Sequence, residues 1–344
     1  MPSISSTHFV SKAIHVDKMS ITPRQEPLDQ TIPAQVAPDK PVCRSVWRHM
    51  IGVGMEAHYQ WSGFCLSRRG FVSRLLPTQF GSLRAFDGVN SKAPIDATVV
   101  VLHGFGASSL DYADLMMSVS KQVKRVIGID LPGHGGSVTV ANATVSQMGA
   151  ALCEAVSGLD VKSPLVVFGN SMGGLAASLL ALYPGNQVDA LVLSSPAGAP
   201  MTEEAFSELK SIFSLRDCGQ ADSFVQRIFA NPPRGFMRHV YQGAVRNQFE
   251  QPALHHLLAT VSSKDLLTAQ SLSALHAKTT VYWGEQDKVL PKEQEDFWKL
   301  CRNQAIRVVD VPGAGHMPFF EDLKLVSGWI VDACREASKG AKVN

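Results

Sequence analysis

The most constraining stretch of this chain runs from Leu165 to Leu182. An apolar run, Leu165-Val166-Val167-Phe168, turns through Gly169-Asn170-Ser171-Met172-Gly173-Gly174 into a small-residue helical pattern. A strand without polar alternation is buried on both faces, and a sheet built from such strands needs helices on both sides. Short β-branched runs recur at Ala97–Leu102, Val126–Asp130, Leu191–Ser194, Thr279–Trp283 and Ile306–Val311, with helical segments such as 111–119 and 144–156 between them. From about Phe80 onward, therefore, the pattern predicts an α/β fold with a mostly parallel central sheet flanked by helices.

Composition agrees and excludes several alternatives. With 45% hydrophobic and 18% charged residues in 344, the chain can bury a sizeable core and is not wholly disordered. Thirty-two Lys+Arg against 30 Asp+Glu leave +2, which supplies no sequence-wide basic field, so nucleic acid is not an expected partner. No run reaches the ~18 apolar residues that span a bilayer. The six cysteines are scattered without a C-x-x-C pair and read as reduced thiols, several of them buried.

Organisation follows from where periodicity starts and stops. Residues 1–78 read as an amino-terminal arm and lead-in, 79–198 as the first part of the α/β core, 199–278 as a helical insertion, and 279–344 as the second part of the core. Met1 to Pro41 mix Ser, Thr, Pro, Gln and charge without sustained periodicity, and no apolar segment comes after a basic start. Val46 to Phe64 reads as a helix packing on the core, with peripheral membrane contact as a secondary reading. Ser67-Arg68-Arg69-Gly70-Phe71-Val72 matches a twin-arginine export pattern by chance, because it lies far inside the chain and Arg74, Pro77 and Gln79 break up the residues after it. Without an export signal, the expected location is cytoplasmic.

The Gly-x-Ser-x-Gly turn has a chemical reading. A strand that turns abruptly into a helix strains its central residue, lifts the Ser171 hydroxyl above the sheet edge, and aims a helix amino terminus at developing negative charge. A serine needs a base to act as a nucleophile. Of eleven histidines, His316 stands out, because it comes after the last strand and the turn Pro312-Gly313-Ala314-Gly315, at the same edge as Ser171. The orienting carboxylate falls to Asp287, a short turn beyond Thr279–Trp283. Its rival Glu285 has less loop to reach inward, and Leu191–Gly198 offers no acid.

Five ordered motifs then carry a resemblance. They are His103-Gly104-Phe105-Gly106, Asp130-Leu131-Pro132-Gly133-His134-Gly135, Gly169 to Gly173, Gly284 to Asp287, and Gly315-His316. Over about Phe80 to Ala337 the chain resembles an α/β-hydrolase, and within that fold the cap-bearing serine esterases and monoacylglycerol-type lipases. The resemblance implies an oxyanion hole from the backbone N–H groups of Phe105 and Met172, with His103 propping the loop. It implies no metal or organic cofactor, and a small-molecule ester as partner. It makes 199–278 a helical cap, for which Phe213, Phe224, Phe229, Phe236, Met237 and Tyr241 are candidate lining, although aromatics at helical spacing more often bury against the body. The implied activity is hydrolysis of carboxylic esters of apolar acyl groups through an acyl-enzyme. Carbon–carbon bond hydrolases that cleave vinylogous diketones share the Gly-Asn-Ser-Met-Gly-Gly turn and are the alternative, as is a non-catalytic ligand-binding member of the fold.

Overall fold

A computed structural model describes residues 42–137, 144–215 and 217–340; the arm up to Pro41 lies outside them. Eight strands make one sheet: β1 (Phe71–Thr78), β2 (Gly81–Val89), β3 (Ile95–Leu102), β4 (Val123–Ile129), β5 (Leu165–Asn170), β6 (Ala190–Ser194), β7 (Lys278–Gly284) and β8 (Ile306–Val311). Their order is β1-β2-β4-β3-β5-β6-β7-β8. β2 pairs antiparallel with β1 and β4, and every other pairing is parallel.

The helices are α1 (Val42–Arg68), α2 (Ala113–Val119), α3 (Val145–Ser157), α4 (Met172–Leu182), α5 (Glu203–Ile212), α6 (Cys218–Ile228), α7 (Gly235–Phe249), α8 (Pro252–Thr260), α9 (Ala269–Ser273), α10 (Lys292–Lys299), α11 (Pro318–Glu321) and α12 (Leu323–Gly340). Their starts are legible in local chemistry. The Thr144 hydroxyl accepts from the Gln147 N–H while the Gln147 side chain accepts from the Thr144 N–H, and Asp217 caps α6 through the Gln220 N–H.

Alternate residues of the central strands feed two cores, as a strand period of two requires. Val166 and Phe168 of β5 face one side, with Val99 and Val101, against Leu115 and Met116 of α2 and Ile330 and Cys334 of α12. Leu165 and Val167 face the other, with Val100 and Leu102, against Leu152 and Val156 of α3, Leu180 of α4 and Trp298 of α10. Both sides are sealed, which is why these strands carry no polar alternation. Burial pushes the Cys153 and Cys334 thiols up to about 11 and about 12, so both sit in these cores as small protonated apolar groups.

Two features depart from the sequence reading. β1 lies inside 71–78, within the expected lead-in, yet it is the edge strand of the sheet. Four consecutive residues, Val72 to Leu75, are exposed, so neither face shows alternation, and Pro77 is tolerated because an edge strand has a free side. The arginine pair of the twin-arginine pattern falls at the end of α1 and in the turn that enters β1. α1 itself runs longer than the predicted 46–64; Leu66 is fully buried, while Trp61 and Phe64 stay exposed. No helix among the described residues is long and apolar enough to cross a membrane.

Parallel register aligns the carboxyl ends of five strands. Leu102 pairs with Gly169, Asn170 with Ser194, Ser194 with Tyr282, and Gly284 with Val311. The loops after β3, β5, β6, β7 and β8 therefore leave one edge. Between β6 and β7, α5 to α9 are inserted, with a small core of their own in which Phe224, Ile228, Phe229, Val245 and Phe249 are buried.

Candidate active site

Ser171 occupies the turn between β5 and α4 with φ 54° and ψ −120°, a left-handed backbone that a residue with a Cβ adopts only under constraint. The constraint is steric closeness. A Cβ on Gly169 would stand 2.2 Å from the Gly173 carbonyl oxygen, and one on Gly173 would stand 2.3 Å from that of Leu102. Only glycine lets strand, turn and helix approach so closely. The Ser171 carbonyl then closes the turn by accepting from Gly174, Leu175 and Ala197 N–H groups at 2.8, 3.3 and 3.0 Å.

The structure brings Asp287 and His316 together. His316 Nδ1 lies 2.7 Å from Asp287 Oδ2, with the two side chains only 5% and 1% exposed. Asp287 Oδ1 accepts from the Val289 and Leu290 N–H groups at 2.8 and 3.2 Å. Burial opposes ionisation of this carboxyl, but the facing His316, its hydrogen bond, the Val289 N–H and the adjacent Ser195 prevail and hold it below the usual carboxylate range. Glu285, the rival in sequence, is exposed, and its backbone N–H pairs with Val311.

His316 is tied to Ser171 through the intervening backbone. Asn170 Nδ2 donates to the His316 carbonyl at 3.1 Å and to the Ser194 carbonyl at 3.0 Å. Its Oδ1 accepts from the Tyr112 hydroxyl at 2.9 Å, and that hydroxyl accepts from the Gly104 N–H at 3.2 Å. One buried amide and one buried phenol thus join the β3 loop, the serine turn and the histidine loop. From below, Glu321 holds the histidine loop to the insertion, accepting from Gly315 and Ala230 N–H groups at 2.8 and 2.7 Å. Sequence reasoning missed Asn170 and Tyr112. The available signal was an amide ending an otherwise apolar buried strand, since a buried amide needs partners.

We expect Tyr112→Phe to lower kcat on an ester about tenfold with little change in KM, and to weaken inhibition by an alkyl boronic acid in parallel. The Gly104 N–H is then left unpartnered inside the protein, and the loop carrying Phe105 loses its anchor. Steady-state kinetics beside boronate titration check this; unchanged boronate affinity would remove Tyr112 from the network's working parts.

His103 and His134 are both buried and held by backbone groups. His103 Nε2 accepts from the Leu131 N–H at 2.9 Å and Nδ1 sits 2.8 Å from the Gly104 carbonyl, partners that fit a neutral ring with its proton on Nδ1. Burial lowers its pKa. His134 pairs with the Pro132 carbonyl at 3.0 Å, and burial takes it down to about 3. No cluster of three or more His, Cys, Asp or Glu among the described residues is arranged to hold a metal ion.

Two apolar cavities flank this edge and share Phe105 as a wall. The narrower, about 140 Å³, is lined by Ser171, Met172, Leu175 and Leu179 of the core and by Phe206 and Phe213 of the insertion. The wider, about 570 Å³, is lined by Phe105, Phe229, Tyr241 and Met317, with Met55 and Tyr59 of α1 on its far side. Of the insertion's aromatics, Phe213, Phe224 and Phe229 stack into a cluster around Phe105 and Phe249 or against Tyr241, whereas Phe236 and Met237 are exposed.

Comparison with known proteins places this architecture. The model of the alpha/beta hydrolase family matches residues 99–327. Among curated proteins, the chain is 23% identical over 323 residues to monoacylglycerol lipase ABHD6 of Mus musculus, covering 83% of this chain and 84% of that protein. It is 26% identical over 215 residues to a 2-hydroxy-6-oxononadienedioate/2-hydroxy-6-oxononatrienedioate hydrolase of Escherichia coli, covering 58% of this chain and 73% of that one. Among solved structures, carboxylesterase CesB of Bacillus subtilis superposes with a TM-score of 0.65 at 18% identity, over 82% of this chain and 98% of that one.

Proposed function

The chain belongs to the alpha/beta hydrolase family, and from that premise we propose that it is a serine hydrolase of carboxylic esters with apolar acyl groups, working through an acyl-enzyme. The observation that carries this reading is the buried Asp287–His316 pair, 2.7 Å apart, whose histidine loop is fastened to the residue before Ser171. In the reaction, Ser171 Oγ bonds to the ester carbonyl carbon as its proton passes to His316 Nε2. The tetrahedral oxyanion is received by the Phe105 and Met172 N–H groups. As the carbon–oxygen bond to the alcohol breaks, His316 returns the proton to the leaving oxygen. Water, giving a proton to the same imidazole, then adds to the acyl carbon; the carbon–Oγ bond breaks, His316 returns that proton to Ser171 Oγ, and the acid leaves.

Neighbouring backbone donors are already engaged: Gly104 N–H with Tyr112, Ala107 N–H with Gly104, and Gly174 N–H with Ser171. Phe105 and Met172 are the donors this reading assigns to the oxyanion, fixed before charge develops and so requiring no reorganisation. The inserted helices act as a cap that excludes water from the two apolar cavities.

Carbon–carbon bond hydrolysis is the second reading, supported by the Escherichia coli relative. A dienedioate carries two carboxylates, whereas the cavity containing Ser171 offers one cation among the described residues, Lys210. That amine already donates to the Val261 carbonyl at 2.9 Å and lies over the Phe206 ring. An apolar acyl chain suits such walls better.

The test is covalent labelling. A fluorophosphonate probe is expected to modify the wild-type protein at Ser171, found by peptide mass analysis, and p-nitrophenyl octanoate is expected to give a burst of p-nitrophenol as the acyl-enzyme fills. A label that survives Ser171→Ala would overturn the assignment.

A further inference from the structure

The two cavities differ in size and in which part of the site they adjoin. The narrower begins at Ser171 and Met172 and runs inward along α4. The wider adjoins the histidine loop. Met317, directly after His316, lines it, and so does Ile228, whose carbonyl accepts from the His316 and Met317 N–H groups at 3.0 and 3.3 Å. Phe105 stands between the two, its ring packed edge-on against Phe213 on the narrow side and tilted against Phe249 on the wide side.

Reaction geometry assigns the sides, resting on the esterase reading above. The imidazole must hand its proton to the leaving oxygen, so the leaving group departs on the histidine side. The acyl group stays bonded to Ser171 and takes the space beside it. We infer that the wider cavity receives the leaving group, and that the substrates are therefore esters of a bulky apolar alcohol rather than of a small polyol. Its volume, about 570 Å³ against about 140 Å³ for the acyl side, suits a drug-sized group. Phe224, Phe229, Val245 and Phe249 give it apolar walls. The polar groups at its α1 end are largely occupied with one another: the Tyr59 hydroxyl donates to Asp111 at 3.2 Å and accepts from Gln248 at 3.3 Å. A small polyol would leave most of these walls uncovered and its own hydroxyls poorly paired.

The experiment holds the acyl group constant and varies the alcohol. Octyl octanoate and ethyl octanoate are presented in the same detergent micelles to the full chain and to Ala244→Trp, which places an indole in the wide cavity from α7, outside the catalytic groups. Wild type is expected to favour the octyl ester in kcat/KM. Ala244→Trp is expected to lower that preference by about tenfold while ethyl octanoate turnover stays within about twofold. Val240→Phe fills the same cavity by a smaller step and replaces Ala244→Trp should that variant fail to melt cooperatively. Equal losses on both esters, or a change that tracks acyl length between ethyl octanoate and ethyl hexadecanoate instead, would overturn the assignment. Absence of any Ser171-dependent ester turnover in wild type would instead sink the esterase reading, and this proposal with it.

Discussion

Asp287→Asn is expected to lower kcat on an octanoate ester about 10⁴-fold, and Ser171→Ala about 10⁶-fold, with KM little changed in either. The mechanism of the first loss can be read from the two oxygens of Asp287. Oδ1 accepts from two backbone N–H groups, Val289 and Leu290, so an asparagine there must keep its carbonyl oxygen in that place. Its amide nitrogen then replaces Oδ2 and faces His316 Nδ1 as a donor. To accept, the imidazole must carry its proton on Nε2, and in that tautomer it has no lone pair to take the serine proton. Packing is nearly unchanged because the two side chains are isosteric, so the melting temperature should fall far less than the rate. The double variant should be no slower than Ser171→Ala alone, since the groups work as a unit. Steady-state kinetics on the three variants decide the matter; a loss smaller than about tenfold in Asp287→Asn would place the orienting acid elsewhere.

How much of this was legible in sequence depends on whether a residue's role is local. The apolar runs that became β3, β5 and β6 announce themselves because burial on both faces removes polar residues from the strand itself. The serine turn is equally local, since Gly169 and Gly173 are dictated by contacts within ten residues or by the adjoining strand β3. Asp287 and His316 could be singled out because each comes after a strand whose position in a parallel sheet fixes the edge at which its loop emerges.

Roles set by distant partners were not legible. β1 has an exposed run where a buried strand would alternate, because only its partner β2 defines it as part of the sheet. Asn170 is one letter within a motif until Tyr112, 58 residues away, and His316, 146 residues away, supply its hydrogen bonds. The aromatics of the insertion show the same limit. Phe224, Phe229 and Phe236 are alike as candidate lining in sequence, yet the first two are buried and Phe236 is 66% exposed. Periodicity reports that a face is apolar, not what it meets.

Asp130 shows the largest expected stability effect for a residue that the sequence places in a motif without assigning it work. Its carboxylate is fully buried at the end of β4. Oδ1 accepts from the Ser109 N–H at 2.8 Å, and Oδ2 from the Gly136 N–H at 2.8 Å and from Arg84 Nε at 2.7 Å. It therefore joins β2, the turn before α2 and its own loop. Removing it in Asp130→Ala leaves the buried Ser109 N–H, the half-buried Gly136 N–H and a guanidinium without their acceptor. Breaking a buried pair in this way costs ~3–5 kcal/mol, and the lower end, ~3 kcal/mol, is expected here because Arg84 keeps a quarter of its side chain in water and can be rehydrated. Burial alone would raise the Asp130 pKa, but Arg84 and the two N–H groups outweigh it and hold it below the usual range. The folded carboxyl thus binds its proton more weakly than the unfolded one. Its contribution is complete above the ordinary carboxylate range and is lost as pH falls through it toward the depressed value. Urea unfolding should accordingly show a lower midpoint with an unchanged slope at neutral pH, and the gap between wild type and Asp130→Ala should narrow on acidification. A gap that stays constant down to acid pH would mean that the charge of Asp130 contributes nothing and that only its shape is needed.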